Sequence, residues 1–284
     1  MTPAPTYTHA ITSKDGLALF AQGWLPEGEP TASILITHGY GEHSGRYAAL
    51  AGHLTAQGHA VHTFDLRGFG RSEGRRAFVS SFEVYLEDLD VCLQAVRADI
   101  GTAPLFLMGH SMGGTICTLY TLAYPDRAAG LILSSPALRS NEAPLLQKFA
   151  TILGRFLPSL PTILLDRRLI SRDPAVVAQA EADPLNYHGR ILARTGAELL
   201  RAMRQIEAEG EKLMLPLLIF HGTGDRLTDP TASVDLYNRV RSTDKTLSLY
   251  ERLFHETFNE PERAQVLEEL TEWLEEHTSP NTQA

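Results

Sequence analysis

The sequence predicts an α/β fold, in which helices cover both faces of a mostly parallel sheet and a helical segment is inserted late in the chain. Three observations support this prediction: short apolar runs alternate with amphipathic segments, several runs are apolar throughout, and one long stretch breaks the alternation. Continuous apolar runs are expected where both faces of a strand are buried, as in parallel sheets. With 284 residues and 43% hydrophobic content, the chain can form one large domain carrying an insertion.

Seven segments have the composition of strands. Most are short runs of leucine, isoleucine, valine and phenylalanine bounded by glycine, proline or polar residues. The predicted strands are Leu17–Leu25, Ser33–Thr37, Ala60–Phe64, Leu105–Met108, Gly130–Leu133, Leu215–Phe220 and Leu247–Tyr250.

Five segments between these strands are predicted helices. Gly58 follows the first and Pro125 comes shortly after the third, and both residue types end helices. The predicted helices are Arg46–Gln57, Phe82–Ala98, Ser111–Ala123, Thr231–Val240 and Pro261–His277.

One stretch, residues 137–213, contains no convincing strand. Its helical segments are broken by prolines, namely Pro144, Pro158, Pro161, Pro174 and Pro184. We expect this stretch to form a helical cap, or lid, over the end of the sheet, and residues 1–136 and 214–284 to form the core.

Composition excludes several classes of protein. The chain has 25 Lys and Arg against 34 Asp and Glu, and a net charge of −9 argues against nucleic acid as a partner. Two cysteines exclude a disulfide scaffold and a multi-cysteine zinc site. The first residues resemble no signal peptide, and no apolar run reaches the roughly 18 residues of a membrane span. We therefore expect a cytoplasmic protein.

Two places match the pattern Gly-x-Ser-x-Gly, centred on Ser111 and Ser72. A nucleophilic serine in this pattern needs a strand before it and a helix after it, so that its oxygen is exposed on a sharp turn. Ser111 has both flanks, and the start of the following helix places positive dipole density beside it. Ser72 lies in a polar, glycine-rich stretch with neither flank. We therefore predict Ser111 as a nucleophile and Ser72 as a loop residue.

A serine hydroxyl requires a base, and in this architecture the base follows the nucleophile and an acid in the chain. Four histidines follow Ser111: His188, His221, His255 and His277. His255 comes just after a predicted strand, at the carboxyl edge of the sheet where sites of open α/β folds gather. It is therefore the best candidate for the base.

We expect the acid to follow the end of an earlier strand, at the same edge of the sheet. Asp225 follows the strand Leu215–Phe220 after a turn with two glycines, and Asp229 competes with it. Pro230 follows Asp229, a pattern typical of a helix N-cap. We therefore predict Asp225 as the acid that orients His255.

Nucleophilic attack on an ester or amide also needs N–H donors close to the position where the carbonyl oxygen becomes negative. Met112 offers its backbone N–H directly after the nucleophile. Tyr40 offers another from the loop His38-Gly-Tyr-Gly-Glu-His43. We interpret His38 and His43 as hydrogen-bonding supports of this loop, and we expect no metal site.

Together these segments resemble the α/β-hydrolase fold and, within it, the monoacylglycerol lipase and lysophospholipase family. The resemblance covers nearly the whole chain. It implies Ser111 as nucleophile, Asp225 and His255 as its partners, Tyr40 and Met112 as oxyanion donors, and a helical cap. Its most specific pieces are His38–His43, Asp65–Gly74, Gly109–Gly114, Asp183–Leu185, Gly222–Asp225 and Tyr250–His255.

The predicted cap carries an apolar stripe at helical spacing, formed by Leu145, Phe149, Ile152 and Phe156, with Leu146, Leu153 and Leu157 beside it. From residue 138 to 172 there are six basic and two acidic residues, a local charge of +4. We expect part of the stripe to pack on the core and part to contact an anionic membrane surface. Residues predicted to contact substrate in the cap are Phe149, Ile152, Leu153, Asn186 and Tyr187.

These residues predict a serine ester hydrolase that forms an acyl-enzyme and needs no cofactor. The expected substrate is a monoacylglycerol or a similar single-chain lipid ester, because a cap encloses one chain more readily than three. Lysophospholipase and general carboxylesterase activity remain alternatives. A catalytically silent ligand receptor is the alternative from another class, against which the Ser-Asp-His set argues.

Overall fold

The computed structural model describes residues 3–140 and 142–278. Eight strands form one sheet in the order β1-β2-β4-β3-β5-β6-β7-β8. The strands are β1 Tyr7–Thr12, β2 Ala18–Trp24, β3 Ser33–Thr37, β4 Ala60–Phe64, β5 Leu105–His110, β6 Gly130–Ser134, β7 Leu217–Gly222 and β8 Lys245–Tyr250. The helices are α1 Ala48–Ala56, α2 Glu83–Asp99, α3 Met112–Ala123, α4 Pro144–Phe156, α5 Pro174–Ala182, α6 Ala193–Glu209, α7 Pro230–Arg239 and α8 Arg263–Thr278.

The sheet is mostly parallel, as predicted. In the sheet, the strands β4, β3, β5, β6, β7 and β8 lie side by side in this order, and every neighbouring pair among them is parallel. Strand β2 is antiparallel to both of its neighbours, β4 and β1. Strand β1 was not predicted, and its residues are half-buried or exposed. Because this edge strand is held by pairing with β2 rather than by burial, it has no apolar run to mark it.

Successive residues of the central strands face opposite layers of the fold. In β3, Ile34 and Ile36 pack with the layer that contains α1 and α8, and Leu35 packs with the layer that contains α2, α3 and α7. This alternation explains why the central strands are apolar throughout, since each face is covered by helices.

The chain between β6 and β7 contains α4, α5 and α6, and we call its residues 137–213 the β6–β7 connection. Among its described residues, the β pairing is limited to an isolated bridge between Pro161 and Leu192. Helix α4 packs on α6, and α6 packs on α3 of the core. Within the described ranges, no helix is long and apolar enough to cross a membrane.

Candidate active site

Ser111 lies between β5 and α3 with φ 53° and ψ −119°. A positive φ is strained for a residue with a side chain, and such strain is found at functional sites. Two glycines make the turn possible. A Cβ atom at Gly109 would collide with the backbone of Gly113, and one at Gly113 would collide with the carbonyl of Thr37. The sequence therefore folds into a strand, a sharp turn and a helix, with Ser111 at the N-terminus of α3.

The second match to the serine pattern has a different environment. Ser72 is buried in a loop, its hydroxyl donates to the carbonyl oxygen of Asp65 at 2.5 Å, and it accepts from the N–H of Phe20 at 2.9 Å. This hydroxyl is occupied by backbone groups, in agreement with the loop role predicted for it.

Asp225 and His255 meet at the carboxyl edge of the sheet, after β7 and β8. His255 Nδ1 lies 2.7 Å from Asp225 Oδ2. Burial alone would lower the pKa of His255, but the neighbouring carboxylate outweighs it and raises the pKa above the usual value for histidine. Burial would raise the pKa of Asp225, but the imidazole of His255 and the hydrogen bonds hold it well below its usual value. The pair is thus built to stabilise an imidazolium.

Three further residues hold the Asp225 carboxylate, and sequence reasoning did not assign them this role. Oδ2 accepts from Thr228 Oγ1 at 2.7 Å and faces His221 Nε2 at 3.2 Å, while Oδ1 accepts from the N–H of Leu227 at 2.7 Å. His221 is in turn 2.7 Å from Ser233 Oγ. The position of His221 at the end of β7, four residues before Asp225, is the signal that could have indicated its contact with the carboxylate.

Asp229, the competing acid, has the role of a helix cap. Its carboxylate accepts from the N–H of Thr231 at 2.9 Å at the start of α7, and Pro230 is the first residue of the helix. The pattern of Asp followed by Pro therefore marks an N-cap, as predicted.

Ser111 and His255 line the same cavity, which has a volume of about 210 Å³. The ring of His110, the residue before the nucleophile, lies 4.6 Å from the ring of His255. Burial, together with repulsion from His255, lowers the pKa of His110 to about 4, so His110 is neutral at physiological pH. Its Nδ1 lies 3.1 Å from the carbonyl oxygen of Ser134.

Tyr40 and Met112, the predicted oxyanion donors, also line this cavity. Tyr40 comes from the 38–43 loop after β3, and Met112 is the first residue of α3, directly after Ser111. Gly39, beside Tyr40, packs so closely that a Cβ atom there would lie 3.0 Å from the Cβ of Ser111. The loop backbone therefore passes next to the serine.

Both histidines of the 38–43 loop support its backbone. His38 Nε2 accepts from the N–H of Leu66 at 2.9 Å, so Nδ1 carries the proton and donates to the Gly39 carbonyl at 2.7 Å. By the same reasoning, His43 accepts from Gly45 through Nδ1 and donates to Asp183 through Nε2 at 2.8 Å. Among the described residues, no group of three or more His, Cys, Asp or Glu is arranged to hold a metal ion.

A buried ion network joins the 38–43 loop to the segment that carries His255. Glu42 accepts from the N–H of Gly39 at 2.6 Å and from Arg46 at 3.0 Å. Arg46 forms a bidentate pair with Glu256, the residue after His255, at 2.6 and 2.9 Å. Sequence reasoning missed this network, although the spacing of Glu42 and Arg46, four residues apart, is a signal for a pair.

Comparison with known proteins identifies the family. A family model described as "Serine aminopeptidase, S33" matches residues 28–262. The chain belongs to the S33 family. A monoacylglycerol lipase of Mycolicibacterium smegmatis is 36% identical to this S33 protein, over 95% of this chain and 97% of that one. The human monoglyceride lipase is 36% identical over 95% of this chain and 90% of its own length.

Comparison with solved structures agrees with the sequence comparison. The crystal structure of the monoacylglycerol lipase of Paleococcus ferrophilus has a TM-score of 0.82 and 32% identity, covering 91% of this chain and 99% of that one. The S33 protein is therefore an α/β-hydrolase and a serine hydrolase, which confirms the fold class and the enzyme class predicted from the sequence.

Of the five residues predicted to contact substrate in the β6–β7 connection, Tyr187 lines the cavity. Asn186 is buried and donates to the carbonyl of Ala180 at 2.8 Å. Among the described residues, those that line the cavity do not include Phe149, Ile152 or Leu153.

One wall of the cavity comes instead from α6 and the segment just before it. Thr195, Leu199 and Met203 recur every four residues on one face of α6, and Ile191 lies beside them. This spacing in the sequence is a signal that could have predicted the wall.

The predicted stripe on α4 faces away from the protein. Phe149 is 57% exposed and Phe156 is 72% exposed, whereas Leu153 is half-buried. Helix α4 packs on α6 at Gly154, where a Cβ atom would collide with Ala197. The expected packing of the stripe on the core is therefore limited, because small residues form the contact between the helices.

The local charge of +4 in this region is mostly paired within the fold. Lys148 and Arg155 remain exposed on α4. Three of the other four basic residues form ion pairs: Arg139 with Asp235, Arg168 with Asp166, and Arg172 with Glu260 and Glu262.

Proposed function

We propose that the protein hydrolyses monoacylglycerols to a fatty acid and glycerol through an acyl-enzyme. The observation that supports this most is that Ser111, on a strained turn, lines one cavity with His255, whose Nδ1 bonds Asp225. The relatives named as monoacylglycerol lipases over nearly the full chain support this substrate class.

In the proposed first step, Ser111 Oγ attacks the ester carbonyl and His255 Nε2 takes its proton. Asp225, bonded to Nδ1, fixes the tautomer and stabilises the imidazolium. The backbone N–H groups of Tyr40 and Met112 stabilise the oxyanion, and the dipole of α3 adds to this effect.

His255 then gives the proton to the leaving glycerol, and an acyl group remains on Ser111. Water enters, loses a proton to His255 and attacks the acyl-enzyme, which releases the fatty acid and restores the serine. The raised pKa of His255 suits both roles, because the group must accept and return a proton near neutral pH.

The acyl chain is proposed to lie against the face of α6 formed by Thr195, Leu199 and Met203. This face lines the cavity of about 210 Å³ that also contains Ser111. Because the core and the β6–β7 connection both line this cavity, we propose that residues 137–213 form a cap over the site and that residues 1–136 and 214–284 form the core.

We also propose that α4 contacts a membrane surface from which the lipid substrate is drawn. Exposed apolar side chains cluster on α4 and in the segment after it, beside the exposed cations Lys148 and Arg155. Large exposed apolar patches mark interaction sites, and basic residues on their edges favour anionic lipid. The cluster comprises Leu145, Leu146, Phe149, Ile152, Phe156, Leu157, Leu160, Ile163 and Leu164.

The substrate class is tested by the release of glycerol from monooleoylglycerol, compared with acyl esters of other alcohols and chain lengths. We expect the highest kcat/KM for long-chain monoacylglycerols and its loss in Ser111→Ala. Equal kcat/KM for short esters of any alcohol would instead indicate a general carboxylesterase. An absence of turnover on every ester would contradict the proposed function.

A further inference from the structure

Residues 183–188 of the β6–β7 connection contact the 38–43 loop, and the proposed reaction gives this contact no role. His43 Nε2 donates to the Asp183 carboxylate at 2.8 Å. The N–H of Tyr187 donates to the carbonyl oxygen of Gly41 at 3.0 Å. The loop that carries a predicted oxyanion donor is therefore bonded to the connection both near its middle and at its last residue.

The backbone around Tyr40 is held from two sides. Before it, His38 donates to the carbonyl oxygen of Gly39 at 2.7 Å, and this carbonyl shares a planar peptide group with the N–H of Tyr40. After it, Gly41 has a φ of 80°, and a Cβ atom there would lie 3.3 Å from the carbonyl oxygen of Tyr187. The rings of Tyr40 and Tyr187 are also in edge contact, with 6.1 Å between their centroids. The core thus holds the backbone before Tyr40, and the connection packs on the backbone after it.

The Asp183 carboxylate accepts through both of its oxygens. Oδ2 accepts from His43, and Oδ1 accepts from the N–H of Leu185 at 2.9 Å. Burial would raise the pKa of Asp183, but these hydrogen bonds outweigh it and lower the pKa, so the group is ionised at neutral pH. His43 accepts from the N–H of Gly45 through Nδ1 at 3.1 Å, which leaves Nε2 as its donor. The bond to Asp183 therefore fixes both the position and the tautomer of His43.

The same connection also contacts the segment that carries the base. The carbonyl oxygen of Ile170 accepts from the N–H of Glu256, the residue after His255, at 2.7 Å. Arg167, three residues before Ile170, donates through Nη2 to the carbonyl oxygen of Tyr187 at 2.6 Å. The connection thus touches the loop of the oxyanion donor and the residue next to the base, and Arg167 joins the two contacts.

We propose that Asp183 is a positioning residue for the ester hydrolysis: through His43 it holds the 38–43 loop so that the N–H of Tyr40 reaches the oxyanion. This inference rests on the proposed function, which assigns that N–H to oxyanion stabilisation. It gives the β6–β7 connection a part in catalysis besides covering the cavity, because the oxyanion site is complete only when the connection is bonded to the loop.

The experiment measures hydrolysis of p-nitrophenyl butyrate, a small soluble ester, by the full-length protein and by Asp183→Asn. The amide keeps an oxygen for the N–H of Leu185 but turns an N–H group toward the N–H of His43, so this bond is lost with little change in volume. We expect kcat to fall about 10- to 100-fold, because a displaced oxyanion donor stabilises the transition state less. KM should stay within about twofold, and the melting temperature shows whether the variant is folded.

Two further sets of variants test whether the effect depends on this contact. His43→Ala and the double variant with Asp183→Asn complete a mutant cycle. The double variant should lose no more than the larger of the two single losses, because both changes break the same bond. Ser159→Ala is the matched control: it removes a hydrogen bond of 2.7 Å that joins the connection to Arg75, in a different loop of the core, and should keep kcat within about twofold.

Two inhibitors separate the positioning of the oxyanion donor from a general loss of structure. A trifluoromethyl ketone accepts Ser111 Oγ at its carbonyl carbon, His255 takes the proton, and the ketone oxygen becomes negative in the oxyanion position. Its inhibition constant should rise in Asp183→Asn by about the factor by which kcat/KM falls. 1-O-Octylglycerol is an ether without a carbonyl, and its inhibition constant should be the same for both proteins.

Four results would overturn proposals made above. An unchanged kcat in folded Asp183→Asn would reject the inference and leave the proposed function intact. Equal weakening of both inhibitors would assign Asp183 to the support of the fold rather than to the oxyanion site. A loss in the double variant equal to the product of the single losses would show that Asp183 does not act through His43. An original protein that hydrolyses no ester would overturn the proposed function itself.

Discussion

The carboxyl edge of the sheet and helix α4 differ in the surroundings of their side chains. At the edge, the Asp225 carboxylate is buried and bonded by His255, His221, Thr228 and Leu227. On α4, by contrast, the apolar side chains of Phe149 and Phe156 are mostly exposed to water. Polar groups that must keep one geometry are buried and fully bonded, whereas exposed apolar groups are available to a second surface. This difference supports the proposal that the edge carries the chemistry and that α4 contacts lipid.

The largest expected effect at the edge is that of Ser111→Ala. It should lower kcat/KM for ester hydrolysis by about 10⁴-fold or more, because the nucleophile is lost. Ser72→Ala is the matched control from the other serine pattern. It should keep kcat/KM within a few-fold and lower the free energy of unfolding by about 1 kcal/mol, because it loses a buried hydrogen bond to Asp65. A Ser111→Ala enzyme that retains a tenth of the activity would contradict the assignment.

Two aspartates of one loop should behave differently. Asp225→Asn should lower kcat by about 10⁴-fold, since the amide cannot hold His255 in the required tautomer. Asp229→Ala should cost about 1 kcal/mol of folding stability through the lost cap of α7 and should leave kcat nearly unchanged. Enzyme kinetics and denaturant unfolding of both variants test the assignment, which fails if Asp229→Ala is the inactive variant.

The ion network behind the edge should contribute mainly to stability. Arg46→Gln leaves Glu42 and Glu256 buried without their partner, so we expect a loss of about 3–5 kcal/mol in the free energy of unfolding. The exposed pair of Arg168 and Asp166 on the β6–β7 connection is the control, and Arg168→Gln should leave the melting temperature unchanged. Similar melting temperatures for both variants would show that the network is not as tightly coupled as its geometry indicates.

The pH dependence of kcat/KM reports on His255 directly. The base must be neutral, and its pKa is raised above the 6.5 of free histidine by Asp225, so activity should fall as the pH drops through a pKa above 6.5. The other groups that face this imidazole are His110, Thr228, Glu256 and Glu42. His110, with a pKa of about 4, should not add a second step near neutral pH. An acidic limb centred below 6.5 would contradict the pairing of His255 with Asp225.

The smallest effect is expected on α4. Phe149→Glu should lower hydrolysis of monooleoylglycerol in anionic vesicles by about tenfold, because an exposed aromatic side chain that would enter the lipid is replaced by a charge. It should leave turnover of a water-soluble ester unchanged. Thr151→Glu adds the same charge to an exposed position of α4 outside the stripe, and should change vesicle activity less. Equal losses on vesicles and on the soluble ester would remove the membrane proposal.

The central strands could be predicted because burial on both faces leaves a continuous apolar run, as in β3 and β5. The edge strand β1 could not, because pairing with β2 holds it and its side chains are largely in water. Strand β7 begins at Leu217, two residues later than predicted, because Pro216 has no N–H to give to the sheet. The predicted first helix begins instead as a short 3₁₀ turn at Ser44–Tyr47, before α1.

The site was partly predictable for a related reason. Ser111 and Asp225 follow strand ends in patterns with glycine, and those patterns mark sharp turns at one edge of the sheet. The contacts of Arg46 with Glu256 join segments about 200 residues apart, and no local pattern predicts such a pairing. Periodicity on α4 likewise predicts an apolar face but not which of its residues are covered, and the structure leaves Phe149 mostly exposed.

The most direct test of the central claim is to label the protein with a fluorophosphonate and locate the adduct by mass spectrometry. The proposed chemistry predicts one adduct, on Ser111, and a much slower reaction in His255→Ala, because the serine then lacks its base. An adduct on Ser72 or another residue, or an unchanged rate of labelling in His255→Ala, would contradict the assignment of Ser111 and His255 as nucleophile and base.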